Sequence, residues 1–189
     1  MDRLSALILV LAACGKDDVA PPPSRTESAS VAKKQANVDA FCDRHLGGDS
    51  GPKVTFPTLV GAAPAPAAGH WLWINVWATW CKPCIEEMPR LVKWQHQLAA
   101  AGHPVDLAFV SVDDKDSDLV EFAKAHPGTP ASTRVADPKQ QEPWLAALAV
   151  ESGTIPVHVF ASPSGHVRCV RAGGIREPDY ASIERLLAE

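Results

Sequence analysis

Cys81 and Cys84, separated by two residues, close an apolar run that reads Trp77-Ala78-Thr79-Trp80-Cys81-Lys82-Pro83-Cys84. Thiols at that spacing form a small ring on oxidation and reopen by exchange with another thiol, so the first chemistry they suggest is dithiol/disulfide exchange. Three other uses of the spacing compete. Half of a zinc site needs a second pair of ligands, and the sequence offers only Cys42, Cys169 and scattered histidines, so no metal is expected. Attachment of a c-type haem needs His directly after the second cysteine, where Ile85 stands. A purely structural disulfide across so short a loop constrains the unfolded chain far less than a long one would. Exchange is the preferred use, and it calls for no cofactor.

The neighbouring elements must position these thiols. Residues 71–77 are apolar except Asn75, the pattern of a strand covered on both faces. Beyond the cysteines, Ile85, Met88, Leu91, Val92, Gln95 and Leu98 recur at three- and four-residue spacing, which predicts a helix over residues 82–101 that stops at Gly102. Pro89 is expected to kink that helix or end its first turn, because it lacks an N–H and crowds the preceding turn. A strand that delivers Cys81 to the first turn of a helix sets its sulfur beside unpaired N–H groups and the positive end of the helix dipole, which favours the thiolate. Lys82 adds a positive charge nearby. Cys81 is therefore the expected attacking thiol, and Cys84, one turn deeper, the thiol that resolves the mixed disulfide.

Elsewhere the chain alternates strands and helices. Residues 31–45 read as a helix that contains Cys42, and residues 53–60, interrupted by Pro57, as an edge strand or extended arm. Residues 105–112 read as a second apolar strand. Asp118 and Glu121 open a helix through Leu119, Phe122 and Ala123 that ends before Pro127. Short strand character at 134–136 precedes a helix over 143–150. Residues 156–160 and 166–172 then form an antiparallel pair around a turn at 162–165, and residues 178–188 close as an amphipathic helix. The order predicts an α/β fold, a mixed β-sheet flanked by helices on both faces.

With 189 residues, 46% hydrophobic and 21% charged, the chain is long enough for one well-buried domain with sequence to spare at its N-terminus. The net charge of −4 and the lack of a Lys/Arg-rich run argue against nucleic acid as a partner. Residues 1–13 carry Arg3 and then an apolar stretch too short to span a bilayer, which reads as an export signal. Its end, Leu11-Ala12-Ala13-Cys14, resembles the lipobox of bacterial lipoproteins, which implies cleavage before Cys14 and anchoring to a lipid membrane through that sulfur. An ordinary signal peptide with a chance cysteine is the competing reading. Residues 14–30, with Pro21-Pro22-Pro23, have no hydrophobic periodicity and are expected to form a disordered tether. The expected organisation is thus a signal peptide (1–13), a tether (14–30), an N-terminal helix and loop (31–51) and one domain (52–189) in a periplasmic or other extracytoplasmic, disulfide-permissive compartment.

The run from Asn75 through the two cysteines to Ile85-Glu86-Glu87-Met88-Pro89 resembles the active-site segment of the thioredoxin superfamily, in its TlpA/ResA-like branch of membrane-anchored oxidoreductases. Phe56-Pro57-Thr58-Leu59-Val60-Gly61 resembles that branch's N-terminal arm, Gly153-Thr154-Ile155-Pro156 its cis-proline loop, and Ser162-Pro163-Ser164-Gly165 and Gly173-Gly174 follow in the family's order. The resemblance implies a thioredoxin-like fold, with Cys81 as nucleophile, Cys84 as resolving thiol and Pro156 as the cis residue facing them. It also implies that Trp80, Ile155 and Pro156 meet a substrate chain. Glu87 matches an acidic residue near the second cysteine that can exchange a proton with Cys84; a solvated glutamate like Glu86 is the alternative. Where classical thioredoxins carry a buried acid this chain has Asn75.

The partners implied are a disulfide-containing exported protein as substrate and a membrane protein as electron donor, with reduction the favoured direction. A peroxiredoxin would place Thr three residues before its reactive cysteine, where Ala78 stands, and a non-enzymatic binding module has no need of the intact cysteines and Ile155-Pro156. Cys42 and Cys169 are left as either a second, structural disulfide or two independently buried thiols. His158 is expected to be a packed or surface histidine.

Overall fold

The computed structural model describes residues 36–189; the expected signal segment, Cys14 and the tether lie outside the described residues. A seven-stranded mixed sheet runs in the order β1-β7-β6-β3-β4-β5-β2. Its strands are β1 (Arg44–His45), β2 (Leu59–Val60), β3 (Trp71–Trp77), β4 (Val105–Ser111), β5 (Ser132–Val135), β6 (Val157–Ala161) and β7 (Val167–Ala172). The helices are α1 (Val38–Phe41), α2 (Lys82–Ala100), α3 (Asp116–Ala125), α4 (Gln141–Ala147) and α5 (Tyr180–Leu187). Central β3 pairs parallel with β4 and antiparallel with β6, as a crossover helix on one side and a later hairpin on the other require. This is a thioredoxin-like fold, a mixed sheet with helices on both faces. None of the described helices is long and apolar enough to cross a membrane.

Every residue of β3 is buried, because its two faces feed two cores. Trp73 and Trp77 pack with Met88, Leu91, Trp94 and Leu98 of α2 and Ile183 and Leu186 of α5. Leu72, Ile74 and Val76 turn to the opposite face, against Trp144 and Leu145 of α4 and Leu148 beyond it. The alternation follows the two-residue period of a strand. Trp73 stacks on Phe160 of β6 with ring centroids 4.9 Å apart, and Trp77 meets Phe122 of α3 edge-on at 5.2 Å. Truncating an aromatic side chain buried this way costs about 3–5 kcal/mol, so β3 and its neighbours are held firmly in register.

Several expected elements differ from what forms. The helix over 31–45 is, among the described residues, only α1, capped by the Asn37 side chain on Ala40 N. His45 belongs to β1, where Asp43 N and Leu46 N donate to the carbonyls of Val170 and Arg168 in β7 and draw the chain into the sheet. α2 continues through Pro89 to Ala100. The Ile85 carbonyl forfeits its helical donor there, but burial of Met88, Leu91, Trp94 and Leu98 outweighs the loss of one bond. The helices expected at 143 and 178 begin earlier, each with a single 3-10 turn, Pro138–Gln140 and Glu177–Asp179, whose early proline needs no N–H partner.

The two ends of the described segment meet. Asn37 N donates to Ser182 Oγ of α5, and His45 Nδ1 and Nε2 lie 2.7 and 3.2 Å from carboxylate oxygens of Asp39 and Glu189. Burial opposes the charged His45 ring, but hydrogen bonds to these two carboxylates, and their charge, more than offset it and raise the ring above its usual range. A disulfide joins Cys42 to Cys169 with Cα atoms 5.5 Å apart and a sequence separation of 127. A loop that long gives about 5 kcal/mol in the chain-entropy account. Replacing both Cys42 and Cys169 by Ala is expected to lower the unfolding free energy by about 3–5 kcal/mol, read by urea denaturation of the oxidised protein. A change within about 0.5 kcal/mol would count against the bond.

Candidate active site

Cys81 is the N-cap of α2, with backbone in the extended region and no side-chain capping bond, and Pro83 occupies the first turn. Its sulfur therefore lies where the helix leaves N–H groups unpaired, and no acidic residue stands in that turn to compete for them. Cys81 and Cys84 form a disulfide, with Cα atoms 5.3 Å apart. Cys84 is fully buried and Cys81 nearly so, while Trp80 just before them is 71% exposed. Lys82 and Glu86 form an exposed pair at 3.7 Å, worth little in water.

The loop that carries Cys81 out of β3 is fixed from below by Asp113, itself only 1% exposed. Its carboxylate accepts from Thr79 N at 3.0 and 3.1 Å, from Thr79 Oγ1 at 2.8 Å and from Ser111 Oγ at 2.7 Å. The Asp113 carbonyl in turn accepts from Arg134 Nη1 at 3.1 Å, and Arg134 Nε is paired with Asp116 at 2.6 Å. Nothing in the sequence pointed to Asp113 or Thr79. A polar cluster at the end of an apolar strand was the only available sign, and it is shared by many solvated loops.

Ile155–Pro156 is a cis peptide bond. Val76 is registered opposite Val157, so Pro156 sits at the end of β3 from which the chain leads to Cys81. Ile155 packs, partly buried, against the core cluster that contains both cysteines. The Pro156 carbonyl accepts from Gly173 N at 2.8 Å, and Gly173 takes a φ of 96°, a conformation that favours glycine. The segment that follows connects to α2: Ile175 N donates to Glu87 Oε2 at 2.8 Å.

Glu87 is buried, 3% exposed, whereas Glu86 beside it is open to solvent. It lies three positions after Cys84 on the same helix face. Glu87 Oε1 accepts from Asn75 Nδ2 at 3.1 Å and lies 3.1 Å from His158 Nε2. His158 is fully buried, and its Nδ1 accepts from Trp73 Nε1 at 3.2 Å. The structure thus gathers Asn75, Glu87 and His158 under the cysteines' helix. Of the alternatives left open for Glu87, the solvated one is excluded; of those for His158, the surface one is.

The fold places the chain among thioredoxin-like proteins, with a pair of cysteines at the start of a helix. A family model described as the AhpC/TSA family matches residues 48–170, and the chain belongs to that family. The thioredoxin-like protein YneN of Bacillus subtilis is 33% identical over 81 residues, which make up 42% of this chain and 48% of YneN. The thiol:disulfide interchange protein DsbE homolog of Paracoccus denitrificans is 29% identical over 122 residues, 61% of this chain and 60% of the homolog. The chain thus spans 48% and 60% of the length of these two curated relatives. A crystal structure from Chlorobium tepidum, assigned as a thiol:disulfide interchange protein DsbE, aligns with a TM-score of 0.52 at 22% identity, covering 73% of this chain and 94% of that one.

Asp113→Ala would leave the Thr79 N–H, the Thr79 hydroxyl and the Ser111 hydroxyl without their acceptor. It is expected to cost about 2–4 kcal/mol of stability by chemical denaturation, with Asp113→Asn closer to the parent protein. Equal stability of all three proteins would dismiss Asp113 as the loop's anchor.

Proposed function

We propose that this protein is an extracytoplasmic thiol:disulfide oxidoreductase, held at a membrane by lipid on Cys14, that reduces disulfides in exported proteins. The observation that carries the reading is the Cys81–Cys84 disulfide at the N-terminus of α2, on the same end of the sheet as cis-Pro156. In the reduced protein the Cys81 thiolate attacks one sulfur of a substrate disulfide, forming a Cys81–substrate bond and releasing the other substrate sulfur with the electron pair of the broken S–S bond. Cys84 then loses its proton to the Glu87 carboxylate and attacks Cys81. The Cys81–Cys84 bond forms, the Cys81–substrate bond breaks, and the second substrate sulfur leaves as a thiolate that takes a proton from water. The substrate gains two electrons and the protein loses two; a membrane electron-donor protein returns them.

Trp80, Ile155 and Pro156 would meet the substrate chain: Trp80 offers an exposed aromatic face, and Ile155 a backbone that an extended segment can pair with. A peroxidase reading is disfavoured by Ala78, fully buried three residues before Cys81 and without a hydroxyl to offer a peroxide. Names of relatives that include thiol:disulfide interchange support the reading, as does the family.

Purified Cys84→Ser protein is expected to accumulate a mixed disulfide through Cys81 with a disulfide-bonded model protein, seen on non-reducing gels, and Cys81→Ser protein to form none. Absence of any trapped species would defeat the exchange reading, and a reduction potential near about −120 mV, that of a strong oxidant, would defeat the reducing direction. Membrane fractionation tests the anchor: the parent chain is expected with membranes and Cys14→Ala in the soluble fraction. Identical partitioning would remove lipid on Cys14 from the proposal.

A further inference from the structure

β3, β6 and β7 carry one row of polar side chains across the middle of the sheet, Asn75 opposite His158 and His158 opposite Arg171. Arg171 is already engaged, with Nη1 on the Phe41 carbonyl at 3.2 Å and 3.6 Å from Asp43. His158 is held differently. The Trp73 indole N–H can only donate, so His158 Nδ1 must accept and the ring's single proton sits on Nε2. Nδ1 also lies 3.4 Å from Asn75 Nδ2, a second group that donates. With two N–H groups facing Nδ1 in a fully buried site, Nε2 is the ring's one defined donor.

That donor lies beside Glu87. Nε2 lies 3.1 Å from Glu87 Oε1, yet its N–H is not in line with the oxygen, and Nε2 has no hydrogen-bond partner in this disulfide-bonded form. Asn75 Oδ1 is likewise buried and unpartnered. Two unsatisfied polar atoms beside one carboxylate are costly in a core, and such costs persist where a site changes its protonation during its work. A small rotation of the carboxyl or the ring closes the Nε2–H bond, and the bond is strongest when Glu87 is charged. The groups that face the pair are Asn75 and Trp73 of β3, the backbone N–H of Ile175 and Arg171 on β7, with Cys84 one turn before Glu87 on α2.

We propose that His158 is a positioning residue for thiol exchange: fixed as an Nε2–H donor by Trp73, it holds the Glu87 carboxylate ready to take the proton that Cys84 loses when it resolves the mixed disulfide. The proposal rests on the exchange reading above and adds a residue to it. His158 touches neither sulfur nor substrate in this role and acts through Glu87 alone.

The test uses the reduced protein and oxidised glutathione in rapid-quench experiments that separate formation of the Cys81 mixed disulfide from its resolution by Cys84, from about pH 5 to pH 9. His158→Phe, which keeps a ring and removes both nitrogens, is expected to slow resolution roughly tenfold and displace its pH profile while leaving the first step unchanged. His158→Gln, which offers an N–H to Glu87 and an oxygen to Trp73, is expected to restore most of the rate. In Glu87→Gln protein, His158→Phe is expected to cost nothing further, because the two act as one unit. An unchanged resolution rate and profile in His158→Phe, or losses that add in the double variant, would overturn the proposal. Should His158→Phe fail to fold, Trp73→Phe removes the N–H that fixes the ring and is expected to slow resolution severalfold while leaving the first step unchanged; a resolution rate identical to the parent's would overturn it equally. A parent protein that forms no mixed disulfide at all defeats the exchange reading and this one with it, and is recognised before any variant is compared.

Discussion

A strand covered on both faces has no water to fall back on, so each polar group it carries must be met by a neighbour or left at a cost of about 1–3 kcal/mol. Besides the indole N–H groups of its tryptophans, β3 carries the amide of Asn75, and much of the site follows from how it is met. Asn75 donates to Glu87, which places the first two turns of α2 over the strand. Glu87 accepts from Ile175, which ties the segment after β7 to the same point, and Gly173 two residues earlier ties that segment to the cis-proline loop. Opposite Asn75 stands His158, fixed by Trp73. One buried amide thus brings together three stretches of chain that the sheet alone would leave independent.

Polar chemistry also sorts the two cysteines of the site. Cys81 ends a loop pinned through Thr79 to Asp113 and begins a helix with no acid in its first turn, so negative charge on its sulfur meets only N–H dipoles and Lys82. Cys84 sits inside the core, where a charged sulfur would be expensive, and the residue one turn on along its helix face is the buried Glu87. The proposed order of reaction, Cys81 first and Cys84 second, rests on that placement.

Much of this was legible in the sequence because the signals are local. β3 spans the residues its apolar run marks, α2 begins and ends within a residue of its periodicity, and the dithiol spacing and the Ile155-Pro156 pair are each read within a few positions. What was not legible depends on contacts between distant residues. Glu87 meets Ile175 across 88 positions and Trp73 meets His158 across 85, and no pattern near any of them distinguishes a buried partner from a solvated one. Glu86 and Glu87 are chemically identical neighbours, and only the rotation of α2 against β3 puts one in water and the other in the core. The N-terminal strand escaped for a related reason: Arg44-His45 has no strand pattern of its own and is ordered by the backbone of β7.

The two disulfides show why burial by itself is a poor guide to thiol function. Cys42 and Cys81 are almost equally covered, 6% and 5% exposed, and Cys84 and Cys169 are both fully buried. What separates the pairs is their place on the backbone. Cys81 caps the N-terminus of a nineteen-residue helix, whereas Cys42 closes the C-terminus of the short α1, where carbonyl oxygens converge and oppose a negative sulfur. The Cys81–Cys84 bond closes a loop of three-residue separation and constrains the unfolded chain little, whereas Cys42–Cys169 closes one of 127 and constrains it strongly. The first bond therefore adds little to stability and lies where a thiolate is favoured, and the second does the reverse, which is the division between the proposed exchange disulfide and a bracing one at similar depth.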